Sequence, residues 1–171
     1  MSQINWKLKK EFHKLSAKQR LYQIQVPIIG LTGGMGTGKS TYAKKLKELG
    51  APLICADDLV KQIYHLQETK KFLTQLSTNF VNKEEVDFEQ IRKQFYKNPN
   101  LKKQIESFIY GQLPSIFLHQ VQALGKIDLL IYDVPLLFEK SLEALFDLTI
   151  LIYAPLEVQI DRVIQRDSHK R

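Results

Sequence analysis

The sequence predicts an α/β protein built on one parallel sheet, and three observations lead there. A near-continuous apolar run over residues 24–32 breaks into a glycine-rich turn and then into a helical pattern, as a buried parallel strand feeding a helix should. Three further apolar runs, "APLICADD", "KIDLLIYDVP" and "FDLTILIYAP", each stop at an aspartate or a proline. Helical segments separate the four, so the strands must be joined by crossovers, which are right-handed.

Each element has its own local warrant. Residues 1–24 read as a basic amphipathic helix, with Ile4, Leu8, Phe12 and Leu15 at helical spacing among lysines. It is either a surface helix that touches an anionic membrane or a partner, or a helix packed on its own domain with a solvated basic face, the commoner use of such a pattern. The domain proper spans 25–171. Pro27, lacking an N–H, suits the start of the first strand. A helix opens near Lys39, runs through "KSTYAKKLKEL" and is closed by Gly50. Helical patterns fill most of 59–124, interrupted near 79–87 and at Asn98-Pro99, with no lasting strand-like alternation. After the fourth strand, "LEVQIDRVIQRD" is helical and opens a segment over 155–171.

Composition bounds the function. At 171 residues the chain suits one domain. No apolar run approaches the roughly 18–20 uncharged residues of a membrane span, and no secretory leader is evident, so a cytoplasmic protein is expected. The lone Cys55 excludes an intrachain disulfide and a multi-cysteine zinc site. Four scattered histidines show no metal-ligand spacing. A net charge of +7 suits a protein that handles anions, although Lys7, Lys9, Lys10, Lys14, Lys18 and Arg20 all precede the glycine turn.

The chemistry is concentrated in "IIGLTGGMGTGKST", residues 28–41. Gly33 to Ser40 fits G-x-x-x-x-G-K-[ST] between a predicted strand and a predicted helix, the context that gives this phosphate-binding loop its meaning. Gly34, Met35, Gly36, Thr37 and Gly38 let backbone N–H groups face phosphate oxygens, and the helix adds its positive end. Lys39 should reach the β- and γ-phosphates of ATP, Ser40 should offer its hydroxyl to Mg²⁺, and Thr41 can bond the α-phosphate. Phosphoryl transfer also needs a group that takes the acceptor's proton, standing at a strand's carboxyl end. Asp57 comes first off the second strand and is the candidate base, with Asp58 the more natural cap for a helix opening at Leu59. Asp133 closes the third strand and either holds Mg²⁺ through a water or serves as a turn aspartate before Pro135. Arg162 and Arg166, four apart on the last helix, suit phosphate oxygens as an ATP lid, or form a solvated face that Asp167, Ser168, His169, Lys170 and Arg171 extend.

These segments together resemble the dephospho-coenzyme A kinases. "GLTGGMGTGKST" is close to that family's first motif, and "DVPLLFE", residues 133–139, is similar to its more specific third-strand signature. "FDLTILIYAPLEVQIDRVIQRD" resembles its fourth strand and lid helix, and "FYKNPNLKKQIESFI" its central helical region. The resemblance implies a P-loop kinase three-layer fold, with 59–124 as a mostly helical acceptor-binding region. It implies Mg²⁺- and ATP-dependent phosphorylation of the ribose 3′-hydroxyl of dephospho-coenzyme A, the last step of coenzyme A synthesis. It also implies Asp57 as base; in the mechanism read from the residues Lys39 holds the phosphates and Arg162 or Arg166 meets the developing charge, with Asp57, Lys39 and Arg166 the catalytic candidates. Neither a nucleic-acid partner nor a membrane span is expected, and a monomer is favoured.

The chain departs from the pattern in four places. Cys55-Ala56-Asp57 stands where the family writes Asp-Ala-Asp, which keeps the base and removes a supporting carboxylate. Phe88 stands where an arginine is usual and Tyr110-Gly111 where His-Pro is, and both bear on acceptor affinity. The family continues past the lid, so four parallel strands are expected, order 2-3-1-4, with the fifth missing from one edge. Two other readings are a nucleotide-binding homologue with impaired turnover and a kinase of the same fold with another acceptor; "DVPLLFE" speaks against the latter.

Overall fold

The computed structural model describes residues 4–168, so the expected contribution of His169, Lys170 and Arg171 to the polar patch lies outside the described residues. Six strands are present: β1 (Ile28–Thr32), β2 (Leu53–Cys55), β3 (Val81–Asn82), β4 (Glu85–Val86), β5 (Leu130–Asp133) and β6 (Leu148–Leu151). The α-helices are α1 (Lys39–Glu48), α2 (Ala56–His65), α3 (Gln67–Leu76), α4 (Phe88–Lys97), α5 (Pro99–Ala123) and α6 (Leu156–Ser168). The chain divides into two compact units, one made of the residues up to Ala56 together with those from Val121 on, the other Asp57–Gln120.

The first unit holds a four-stranded sheet of order β2-β5-β1-β6 with every neighbouring pair parallel, the topology the apolar runs predict. All residues of β1 and β5 are buried, whereas β6, at an edge, exposes Ile150 and Leu151. Ile29, Leu31, Leu53, Leu129 and Ile131 pack with Ala43 of α1. On β1, a Cβ on Gly30 would lie 2.6 Å from Leu137 Cδ1 and 3.1 Å from the Phe146 ring, so only glycine lets those two side chains reach the strand.

Over residues 4–24, the described part of the expected helix over 1–24, no α-helix forms. Among its described residues only two short 3-10 turns occur, Lys10–Phe12 and Leu21–Gln23. The reason is tertiary: Trp6 and Leu8, two residues apart on an extended segment, pack against the sheet core, and Trp6 Nε1 donates to Leu49 O at 3.3 Å. Helical spacing had put Ile4 and Phe12 on the buried face, yet both are exposed. Further on, Arg20 is buried and donates to Asp147 from Nε at 2.7 Å and Nη2 at 3.2 Å, with Nη1 on Gln25 O at 2.9 Å. Asp147 also accepts from Leu15 N (3.1 Å) and Ile28 N (2.9 Å).

The second unit is helical apart from one small hairpin. Ile63, Leu73, Phe80, Ile91, Ile105 and Ile109 form its core, and the Phe72 and Phe108 rings stack at 4.1 Å. The interruption near 79–87 is the β3–β4 hairpin, whose turn residues Lys83 (φ 47) and Glu84 (φ 65) are both left-handed without the Asn-Gly that would announce such a turn. Asp87 caps α4 by accepting from Gln90 N at 2.9 Å. Asn98 closes α4 through its N–H and accepts from Leu101 N at 3.0 Å, and Pro99 is the first residue of α5, where its missing donor is harmless. Phe88 packs edge-on against Tyr64, with ring centroids 4.9 Å apart.

Burial works against ionisation of Asp147, but the bonds from Arg20, Ile28 and Leu15 outweigh it and hold the carboxyl below the usual aspartate range. A folded pKa below the unfolded value of about 3.9 gives stability that is complete above that value and lost as pH falls through the folded one. Replacing Arg20 by alanine leaves a buried carboxylate without its counter-charge, and a loss of about 3–5 kcal/mol at neutral pH is expected from chemical denaturation. Asp147→Asn should flatten the acid limb of a plot of melting temperature against pH.

Candidate active site

The phosphate loop runs from the end of β1 to α1 on a backbone that few other sequences could follow. Gly36 (φ 77) and Gly38 (φ 95) are left-handed. Gly38 caps α1 without any side-chain hydrogen bond, so no capping side chain competes with an anion for the Lys39 and Ser40 N–H groups, while Thr41 N donates to Gly38 O at 3.0 Å. Thr37 is buried and braces the turn, its Oγ1 donating to Gly34 O at 2.8 Å. Gly34, Met35, Ser40 and Thr41 are exposed, as residues that meet a ligand should be.

Lys39 and Asp133 form a largely buried ion pair, Nζ to Oδ1, with 12% and 4% of their side chains exposed. The pairing follows from register. Leu31 of β1 sits opposite Asp133 of β5, and Val134 N donates to Leu31 O at 2.9 Å, so the carboxylate ends level with the start of the loop. The same register sets Cys55 opposite Asp133 from the other side. Lysine and carboxylate neutralise one another here, and an incoming phosphate chain would compete for the lysine while releasing the carboxylate.

Helix α6 brings both expected arginines to the loop. Arg162 Nη1 donates to Gly36 O at 3.1 Å and Thr37 O at 3.2 Å. Arg166 Nη2 lies 3.6 Å from Met35 Sδ, and its Nε pairs with Asp167 at 3.0 Å. The contact is closer than side chains alone would allow: a Cβ on Gly36 would lie 2.5 Å from Gln159 O and 2.8 Å from Gln159 Cα. Gln159 is a site residue the sequence reading missed. Nothing in its local pattern marks it, because its part is played by the main chain.

Asp57 opens the second compact unit, exposed in the first turn of α2 and, among the described residues, without an ion pair or hydrogen bond. The expected division of labour needs one correction. Because α2 starts at Ala56, directly after β2, Asp58 lies within its first turn rather than at its cap, and pairs with Lys61 at 3.3 Å. Both carboxylates sit where the helix dipole favours negative charge.

Comparisons with known proteins agree on one family. The family model described as dephospho-CoA kinase (CoaE) matches residues 27–171. A dephospho-CoA kinase of Mannheimia succiniciproducens is 29% identical over 149 residues, covering 84% of this chain and 68% of that protein. One from a Wolbachia of Brugia malayi is 34% identical over 149 residues, covering 84% and 75%. Among solved structures, TT1252 from Thermus thermophilus superimposes with a TM-score of 0.73 at 29% identity, covering 84% of this chain and 73% of that one.

The seat of Gly36 on α6 is directly testable. Alanine at this position places a methyl group against the Gln159 main chain at a left-handed φ, so loop and helix must separate. Gly36→Ala is expected to weaken binding of a fluorescent ATP analogue by roughly tenfold or more. Adding Gln159→Ala should not restore it, since the clash is with backbone.

Proposed function

The chain belongs to the dephospho-coenzyme A kinase family, it transfers the γ-phosphoryl group of ATP to the ribose 3′-hydroxyl of dephospho-coenzyme A, and we propose the following roles for its residues. The observation that carries them is the Lys39–Asp133 pair beside a glycine loop on which Arg162 already rests.

The loop N–H groups from Gly34 to Thr41 receive the phosphate chain. Lys39 leaves Asp133 for the β- and γ-phosphates, trading one buried counter-charge for another. Arg162, exposed but anchored on Gly36 O and Thr37 O, and Arg166 beside Met35 meet the negative charge that gathers on the transferring group. Asp57 accepts the proton of the acceptor hydroxyl as the bond to phosphorus forms. Its exposure and lack of a partner among the described residues leave it free for that task.

Magnesium fits the donor set, since a hard cation that keeps most of its water and takes substrate phosphates needs few protein oxygens. The exposed Ser40 hydroxyl at the start of α1 and the Asp133 carboxylate, through a water, would hold it. When bound, Mg²⁺ would supply positive charge that offsets the phosphates' negative charge during transfer.

The deciding experiment presents the protein with Mg·ATP and a panel of dephospho-coenzyme A, nucleoside monophosphates and gluconate, following ADP release. Turnover is expected with dephospho-coenzyme A alone. Asp57→Ala should lower kcat by about 10²–10⁴-fold with ATP binding intact, the range for loss of a general base. Full activity in that variant would remove Asp57 from the mechanism. Lys39→Met should instead lose ATP affinity and turnover together.

A further inference from the structure

The tip of the phosphate loop carries Met35, the one methionine of this chain besides that at position 1. It is 65% exposed. The phosphate-binding pattern sets no residue type at this position, and so exposed a side chain adds little to the core, so neither the loop nor packing calls for a thioether here.

What the sulfur meets is fixed by the way the loop lies on α6. Gly36 rests on the Gln159 main chain, Gly36 O and Thr37 O accept from Arg162 Nη1, and Met35 Sδ accepts from Arg166 Nη2 at 3.6 Å. Residues 159, 162 and 166 follow one another at i, i+3 and i+7 along one face of the helix, so the three contacts belong to one seam. The seat at Gly36 leaves no room for a Cβ, and that close approach holds the neighbouring Met35 at the arginine. On its other side, Arg166 donates from Nε to Asp167 Oδ1 at 3.0 Å.

A thioether is a weak acceptor and leaves the guanidinium able to turn to a phosphate. Oxidation changes that. With hydrogen peroxide, a sulfur lone pair attacks one peroxide oxygen, an S–O bond forms and the O–O bond breaks. The departing hydroxide takes the proton left on the transferred oxygen and becomes water, so sulfur has lost two electrons and peroxide has gained them. The sulfoxide oxygen is a strong acceptor, and its bond to a guanidinium is charge-assisted. With Asp167 on Nε and the sulfoxide on Nη2, Arg166 is held at both ends.

We propose that Met35 is a reversible oxidation site, taking oxygen from hydrogen peroxide, and that its sulfoxide slows phosphoryl transfer by keeping Arg166 from the transferring group. The inference rests on the dephospho-coenzyme A kinase reading and on the part given there to Arg166. Lys39 and the loop N–H groups are untouched by the change, so ATP stays bound while turnover falls. Reduction of the sulfoxide returns the thioether and the rate.

The test treats the full chain with hydrogen peroxide, locates the added oxygen by mass spectrometry of the loop peptide, and compares kcat and KM for ATP with those of the same protein untreated. Oxidation of Met35 is expected to lower kcat about tenfold, a partial loss of an arginine that acts on the transferring group, with KM for ATP within about twofold. Dithiothreitol, which reverses sulfenic acid or disulfide formation at Cys55, should restore nothing, whereas methionine sulfoxide reductases acting on both sulfoxide epimers should restore the rate. Met35→Leu keeps Cys55 and Met1, and treatment should leave its rate within about twofold of its own untreated value. In Arg166→Ala, which has already lost the guanidinium, oxidation of Met35 should change the remaining rate by less than about twofold, whereas a steric effect of the added oxygen would cost as much as in wild type. No added oxygen on the loop peptide, full kcat with Met35 oxidised, an equal loss in treated Met35→Leu, or an equal further loss in treated Arg166→Ala overturns the proposal. Untreated wild type that binds ATP without turning over dephospho-coenzyme A overturns the parent reading, a result distinguished by needing no oxidant.

Discussion

The first unit depends on one buried carboxylate. Asp147, 1% exposed, accepts from both ends of the Arg20 fork and from the main-chain N–H groups of Leu15 and Ile28. These donors come from the N-terminal segment and from the first residue of β1, while Asp147 itself immediately precedes β6. The start of two neighbouring strands and the path of the preceding chain are therefore set by one residue whose charge must be matched. A carboxylate taken out of water needs that compensation, and among the described residues Arg20 supplies the one charged donor to it.

From this end of the sheet the strands run to their carboxyl ends, where the phosphate loop begins. Parallel register carries Leu31, Asp133 and Cys55 to the same level, so that the loop after β1 begins beside a carboxylate. Lys39 answers it. This pair lets the unliganded loop tolerate a buried ammonium group, and under the proposed roles its opening would free a lysine for phosphate and a carboxylate for a hydrated cation. Arg162 completes the arrangement by holding the loop's carbonyls, which turns the outward-facing N–H groups into a fixed cradle.

Much of this was legible along the chain because it is carried by local patterns. Continuous apolar runs mark strands buried on both faces, and their order with intervening helices leads to the observed β2-β5-β1-β6 sheet. The glycine loop, Lys39, Ser40 and the i, i+4 arginines are readable because a phosphate chain demands those residue types at those spacings. Where spacing was trusted without tertiary context, it misled. Ile4, Leu8, Phe12 and Leu15 mimic a helix, yet Trp6 and Leu8 are drawn onto the sheet as an extended pair. The Lys83-Glu84 turn carries no turn signature, and its left-handed backbone is imposed by the pairing of Val81 with Val86 and Asn82 with Glu85.

What the sequence by itself determined is the chemistry: a phosphate-binding loop, a candidate base in Asp57, an acidic residue at the end of a buried strand, and motifs shared with one kinase family. Only the tertiary structure decided the partnerships. That Arg20 belongs to Asp147 rather than to a basic surface, that Lys39 rests on Asp133, that Gly36 is seated on the Gln159 backbone, and that Leu137 fills the gap over Gly30 all join residues far apart in the chain. Periodicity reports which face of an element is apolar, because that depends on near neighbours. Which distant group meets a given charge or fills a given gap depends on sheet register and chain path, and these are settled only when the whole core closes.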